Sequence, residues 1–231
     1  MRVLVLSILI ASVQARAWAA EIEMVFPSGS TNSEIWDNDP DIRLRRAILH
    51  DVMGRTTLKW TLRPVVGTRA IEELKTVGSV CHGQITRTTA EELGEPFFPL
   101  YETQYVLLAK PGRHFEVKRL EDAKSFSVGA SLGSRAQKYL EAAGVPAQLV
   151  PRDMMNFQKL TLGRLDLWLT TDDTLKILPA GASRPEVVLR YEKMDIGIAC
   201  NPAVGTGDLK QIELAAASFR RDHAEDWWKI N

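Results

Sequence analysis

The chain of 231 residues carries 29 Lys and Arg against 29 Asp and Glu, so no basic excess points to nucleic acid or an acidic membrane surface as partner. Its length admits one large domain or two small lobes, and 45% apolar residues suffice for a packed core. No internal repeat or low-complexity tract is visible, and no stretch beyond the amino terminus is long and apolar enough to span a bilayer.

The chain opens "MRVLVLSILIASVQARAWAA". Arg2, the apolar run Val3 to Val13 and the A-x-A site Ala17-Trp18-Ala19 together predict a secretory signal peptide over residues 1–19. The run is shorter than the roughly 20 residues that a membrane span needs, and no Cys follows it to carry a lipid. An exported chain of about 212 residues is expected, retaining 27 basic and 29 acidic side chains. Its localisation would be periplasmic.

Strand and helix patterns then alternate. "EIEMVF" places Ile22, Met24 and Phe26 on one side, as a half-buried strand does, and "DIRLRRAILHDV" spaces Leu44, Ala47, Ile48 and Val52 as a helix. "TLKWTL" reads as a strand, "TRAIEELKTV" as a helix, "SVCHGQI" as a strand, and "QYVLLAK" as a fourth strand after the proline-rich "GEPFFPLY". The pattern recurs with strand "SFSVGA" and a helix over Ser134–Ala143 that buries Ala136, Tyr139, Leu140 and Ala143. Gly144 and Pro146 stop that helix. Strand "AQLV", helix "DMMNFQKLTLG" and strands "RLDLWLT", "EVVLRY" and "DIGIAC" follow, then a helical segment from about Asp208 to Lys229. The alternation predicts an α/β fold of two lobes, each with a largely parallel sheet. The polar segment "LLAKPGRHFEVKRLEDA" is the expected crossing between them.

One stretch has two local readings. In "VGASLGSRAQKYLEAAGV" the strand turns at Gly133-Ser134 into a helix, so Ser134 can cap that helix. The same free amides can instead cradle an anion. Cys81-His82 invites a metal or nucleophile reading, but no second ligand pair stands at zinc-like spacing and no base at a recognisable offset.

Several stretches, in order, resemble type II periplasmic solute-binding proteins, the amino-acid-binding family of ABC importers (bacterial family 3-like). "VCHGQITRTTAEE" is similar to that family's T-x-T-x-E-R segment, "PFFPLYETQYVLLAKPG" to its F-S-x-P-Y strand, and "RLEDAKSFSVGASLGSRAQKYL" to its G-[ST] element. "FQKLTLGRLDLWLTTDD" resembles its G-r-v-D element, while "MDIGIACNPAVGTGDLKQIELAAASF" and "AEDWWKIN" resemble its closing segments.

The resemblance implies two hinged α/β lobes, residues 20–110 plus 195–231 and residues 111–194, closing on a small polar or zwitterionic solute. It implies no cofactor, and as partners the solute and an ABC permease or a membrane receptor, with the chain a monomer. The ligand residues it implies are Gly133, Ser134 and Arg135 for a carboxylate, and Thr171 or Asp172 for an ammonium. Trp36 would stack on the solute, and Tyr101 is a weaker aromatic candidate. Where the family has its carboxylate-binding Arg, this chain has Glu91, and the nearest guanidinium is Arg87, next to Thr88. The resembled fold also sets the strands of Cys81 and Cys200 side by side, so a disulfide is plausible, against two buried thiols. Two other functions are open: a lyase resembling cyclohexadienyl dehydratases, with Glu91, Glu102 or Asp172 as acid or base, and a free-standing sensory domain.

Overall fold

The computed structural model describes residues 21–28, 32–66, 69–76, 78–224 and 226–230; the expected signal peptide lies outside the described residues. The chain runs β1 (Ile22–Ser28), α1 (Ser33–Asn38), α2 (Pro40–Gly54), β2 (Trp60–Val66), α3 (Arg69–Thr76), β3 (Val80–Thr86), α4 (Arg87–Leu93) and β4 (Phe97–Ala109). It continues through β5 (Val128–Ser131), α5 (Arg135–Ala142), β6 (Ala147–Val150), α6 (Asp153–Thr161), β7 (Leu167–Thr171), β8 (Glu186–Cys200) and α7 (Thr206–Asp222). Short 3₁₀ turns occupy Leu120–Ser125, Asp172–Lys176 and Trp227–Lys229.

The eight strands are hydrogen-bonded in the order β2-β1-β3-β8-β4-β7-β5-β6. β1 is parallel to β2 and β3, and β5 is parallel to β6 and β7. The long antiparallel pair β4 and β8 joins the two groups. Of β8, β3 pairs only with the carboxyl end, from Ile196 to Cys200, and of β4, β7 pairs only with Tyr105–Ala109. The result is a two-lobed α/β fold with a mixed sheet in each lobe. The middle of β4 and β8 has neither β3 nor β7 beside it, so these strands carry the chain from one lobe to the other. They do so ahead of residues 107–123, the expected crossing, where Leu107–Ala109 already pair with β7.

Local chemistry accounts for the elements. Asp39 caps α2, its Oδ1 accepting from the amides of Asp41 (3.1 Å) and Ile42 (3.4 Å), with Pro40 at the first helical position. α2 buries Ile48, Leu49 and Val52 against β1 and α7 in the core that also holds Met24, Phe26 and Phe219. Gly83 lets β3 approach α2 closely, since a Cβ there would lie 2.5 Å from Leu49 Cδ1. α5 and its C-cap bury Ala136, Leu140 and Ala143 in their own lobe, while Tyr139, expected on that face, is only partly buried. Trp168 is fully buried beside Phe157 and Leu160, packed in the core.

Three expectations about the elements change. β4 begins at Phe97, seven residues before "QYVLLAK". Pro99 is tolerated there because only β8 flanks that part of the strand, and the register shifts between Pro99 and Tyr101. "EVVLRY" and "DIGIAC" are one strand, β8, and the polar Glu192-Lys193 between them, half-buried and exposed in turn, lies in the stretch that joins the lobes. The terminal helix stops at Asp222, and the chain turns so that Trp227 stacks on Tyr101 with ring centroids 3.8 Å apart. A disulfide links Cys81 to Cys200, which face each other in the β3–β8 register.

Candidate ligand-binding cleft

A cleft of about 670 Å³ and an adjoining one of about 210 Å³ open between the lobes. Both lie past the carboxyl ends of parallel strands. Pro27 and Ser28 close β1, His82, Gln84, Ile85 and Thr86 come from β3, Gly133 and Ser134 follow β5, Pro151 follows β6, and Thr170 and Thr171 end β7. Side chains at the ends of parallel strands converge on such a crevice, and helices starting there add free amides.

Arg45 on α2 organises one end. Its Nε donates to Asp41 (2.7 Å), its Nη2 to Asp173 (3.3 Å) and its Nη1 to the Tyr101 hydroxyl (3.2 Å) and Gln84 Oε1 (3.5 Å). Burial works against the Arg45 charge, but Asp41, Tyr101 and Asp173 outweigh it and hold the guanidinium firmly protonated. Burial pushes the Asp41 carboxyl up to about 6, Arg45 opposing and Asp173 and Asp153 reinforcing the rise. Burial also pushes the Tyr101 hydroxyl up, keeping it neutral. Asp153 stands opposite, at the start of α6. It accepts from Ser131 Oγ (2.7 Å), Trp168 Nε1 (3.1 Å) and Thr170 Oγ1 (2.6 Å).

The β3 wall is unusual. Between Gly83 and Ile85 the pairing with β8 shifts register, and Gln84 takes a positive φ of 68°. Gln84 is buried, its Oε1 accepts from the Tyr101 hydroxyl, and its Nε2 has no partner among the described residues. His82, on the same wall, is buried with Nδ1 likewise unpartnered. Burial pulls its imidazole down to about 4, so it is neutral.

Across the cleft, Ser134 caps α5: its Oγ accepts from the Gln137 amide (3.3 Å) and donates to Ser131 O (2.6 Å). Gly133, at φ 72°, donates its amide to Gln137 Oε1 (2.8 Å). The first-turn amides of Arg135 and Ala136 have no acceptor within the helix. Arg135 reaches over to the other lobe, donating to Thr89 Oγ1 (3.2 Å) and Glu92 (3.4 Å). Arg152 and Asp39 make a second bridge at 3.6 Å.

Of the residues expected from sequence, Gly133, Ser134, Arg135 and Thr171 line the cleft. Tyr101 does not line it: its hydroxyl is bonded to Arg45 and Gln84, which do, and its ring is stacked on Trp227. Asp172 accepts from Thr103 Oγ1 (2.9 Å) and the Gln104 amide (3.2 Å), and its neighbour Asp173 lines the cavity instead. Arg87 donates to Asp195 from Nε (3.0 Å) and Nη2 (2.9 Å), its guanidinium over Phe97. Neither Arg87 nor Thr88 lines the cavity; Thr86 and Thr89 do. Trp36 packs edge-on against Phe26 beneath Arg46 and also stands outside it. Glu91 is exposed, and Glu102 is exposed with Lys193 at 2.9 Å. Among the described residues, no group of three or more His, Cys, Asp or Glu could hold a metal ion. No helix among them is long and apolar enough to cross a membrane.

Sequence reasoning missed Arg45, His82, Gln84, Asp153 and Asp173. The i,i+4 spacing of Asp41 and Arg45, just after a helix start that follows β1, was a usable signal for that pair. Nothing in the sequence marks the bulge at Gln84.

No protein-family model matches the chain, and no curated protein sequence does. Solved structures match over most of its length. The ligand-binding core of GluR0 from Nostoc punctiforme, in complex with L-glutamate, is 16% identical with a TM-score of 0.67, covering 87% of this chain and 93% of that one. An ancestral arginine-binding protein bound to arginine is 22% identical with a TM-score of 0.61, covering 90% and 96%. The amino acid ABC transporter substrate-binding protein AbpA from Streptococcus pneumoniae, bound to L-arginine, is 14% identical with a TM-score of 0.66, covering 91% and 96%. With its sheet order and interlobe cleft, the chain has the two-lobed fold of the type II periplasmic binding proteins.

Proposed function

We propose that this chain is a periplasmic solute-binding protein that closes its two lobes on a small polar, amino-acid-like solute and presents it to an ABC permease or a membrane receptor. The observation that carries this reading is the cleft of about 670 Å³, lined by polar groups from both lobes. That volume suits a small organic ligand. Similar structures hold L-glutamate and arginine in their own complexes. The start of α5, with Arg135 and two first-turn amides, offers a place for a carboxylate. The function is capture and release, with no bond made or broken. The carboxylates considered for lyase chemistry give that alternative little support, since Glu91 and Glu102 are exposed and Asp172 is held by Thr103 and the Gln104 amide.

A thermal-shift screen with amino acids, carboxylates, polyamines and sugars tests the proposal. A solute at 100 times its Kd stabilises the fold by about 2.7 kcal/mol. A flat screen combined with turnover of prephenate-like acids would replace this reading with the lyase.

A further inference from the structure

Gln84 is placed at a disadvantage that the fold alone does not require. It is the one non-glycine residue with positive φ among those described, a conformation that disfavours any residue with a Cβ. It is more than nine-tenths buried, lines both cavities of the cleft, and leaves its Nε2 without a partner among the described residues. The orientation of the carboxamide is decided by its neighbours. Arg45 can only donate, so turning the amide over would set donor against donor, and Oε1 belongs on the Arg45 and Tyr101 side. The two Nε2 hydrogens are therefore the open valence of this wall.

The charge around them narrows what they can receive. Arg45, 3.5 Å from Gln84 Oε1, is already shared between Asp41 and Asp173. One positive group flanked by two carboxylates disfavours a third carboxylate and accepts a neutral oxygen. Resting on the solute-binding reading, we infer that Gln84 is a ligand-contact and specificity-determining residue. Its amide N–H groups donate to an uncharged acceptor oxygen of the solute, a carboxamide, ureido or hydroxyl group. The carboxylate of the same solute lies at the α5 end.

The test is a thermal-shift and calorimetric panel of L-glutamine, L-glutamate, L-asparagine, L-aspartate, L-citrulline, L-arginine, L-serine and L-threonine. Each is measured on the wild type, Gln84→Gly and Gln84→Glu. The glycine accepts the positive φ, and the isosteric glutamate keeps the acceptor for Tyr101 and Arg45 while removing both donors. The expected result is that a neutral side chain binds the wild type more tightly than its charged counterpart, and that both variants fold but bind it at least tenfold more weakly. Tighter binding of an acid or of L-arginine by the wild type would overturn the inference. So would affinity retained in Gln84→Glu, or a Gln84→Gly protein that melts lower yet binds as before. If nothing in the panel binds the wild type, the solute-binding reading for amino-acid-like ligands falls and takes the inference with it; wild-type binding with unaffected variants removes the inference alone.

Discussion

The two walls of the cleft, Gly133 to Arg135 on the α5 side and His82 to Gln84 on the β3 side, both stand at the end of a parallel strand. Their polar groups are committed very differently. On the α5 side the Ser134 hydroxyl is used twice, as cap and as donor to Ser131, and the Gly133 amide is taken by Gln137. On the β3 side two buried side-chain nitrogens, His82 Nδ1 and Gln84 Nε2, have no partner among the described residues. The start of α5 satisfies its own end with local side chains, whereas the bulge of β3 leaves these two nitrogens without a partner among the described residues. A recognisable motif and an available hydrogen-bonding group need not coincide.

The comparison can be broken from the β3 side first. Cys81 and Cys200 are 119 residues apart, and cross-linking so long a loop stabilises by about 4–5 kcal/mol on the chain-entropy account. Cys81→Ser paired with Cys200→Ser should lower the unfolding free energy in urea by that order and loosen the strand that carries His82 and Gln84. A loss below about 1 kcal/mol would mean that the β3 wall stands without its cross-link.

Next in size is Arg45→Met, which leaves Asp41 and Asp173 facing each other without their shared cation. Removing one partner of a buried ion pair costs about 3 kcal/mol, and adding Asp173→Asn should recover part of it. Urea denaturation of the single and double variants measures both. An unchanged single variant would show that the cluster is solvated.

The imidazole of His82 gives a pH-dependent effect of similar size. Its folded value, about 4, lies below the unfolded one of about 6.5, so the unfolded chain binds the extra proton. Stability contributed by the neutral ring is complete above pH 6.5 and is lost as pH falls toward 4, by about 3 kcal/mol. Asp41 acts in the opposite sense. Its carboxyl, raised to about 6, favours the folded state as pH falls through 6 toward its unfolded value. His82→Leu should therefore gain on the wild type at pH 4 relative to pH 7, and Asp41→Asn should lose, in melts across that range. Parallel pH curves for the wild type and His82→Leu would place the ring in water.

The smallest effect sharpens the α5 side. Ser134→Ala removes a cap and should destabilise the fold by about 1 kcal/mol, read by thermal melting. Lost solute affinity without lost stability would instead make Ser134 a ligand group.

Much of the fold was legible in the sequence because burial follows period. The alternation of Ile22, Met24 and Phe26 was sufficient to lay down β1, although Val25 on its other face is buried too. The spacing of Ala136, Leu140 and Ala143 laid down α5, with Tyr139 only partly buried. The continuity of β8 was not legible, since the polar Glu192-Lys193 separates two apolar runs that read as two strands and is instead the middle of one shared strand. Half of the cleft was legible at Gly133-Ser134, where a turn glycine and a capping serine sit side by side. The other half depends on tertiary placement. Arg45 looks like one more surface cation of α2 until Asp173, 128 residues away, is brought to it. Gln84 looks like an alternating strand residue until the register shift turns it inward.

A crystal structure of the complex with the compound that most raises the melting temperature would locate the solute. Density is expected between the β3 and α5 walls, with an uncharged acceptor oxygen about 3 Å from Gln84 Nε2 and a carboxylate at the start of α5. A compound seated outside the interlobe cleft, or one that sets an apolar group against Gln84 Nε2, would contradict that placement.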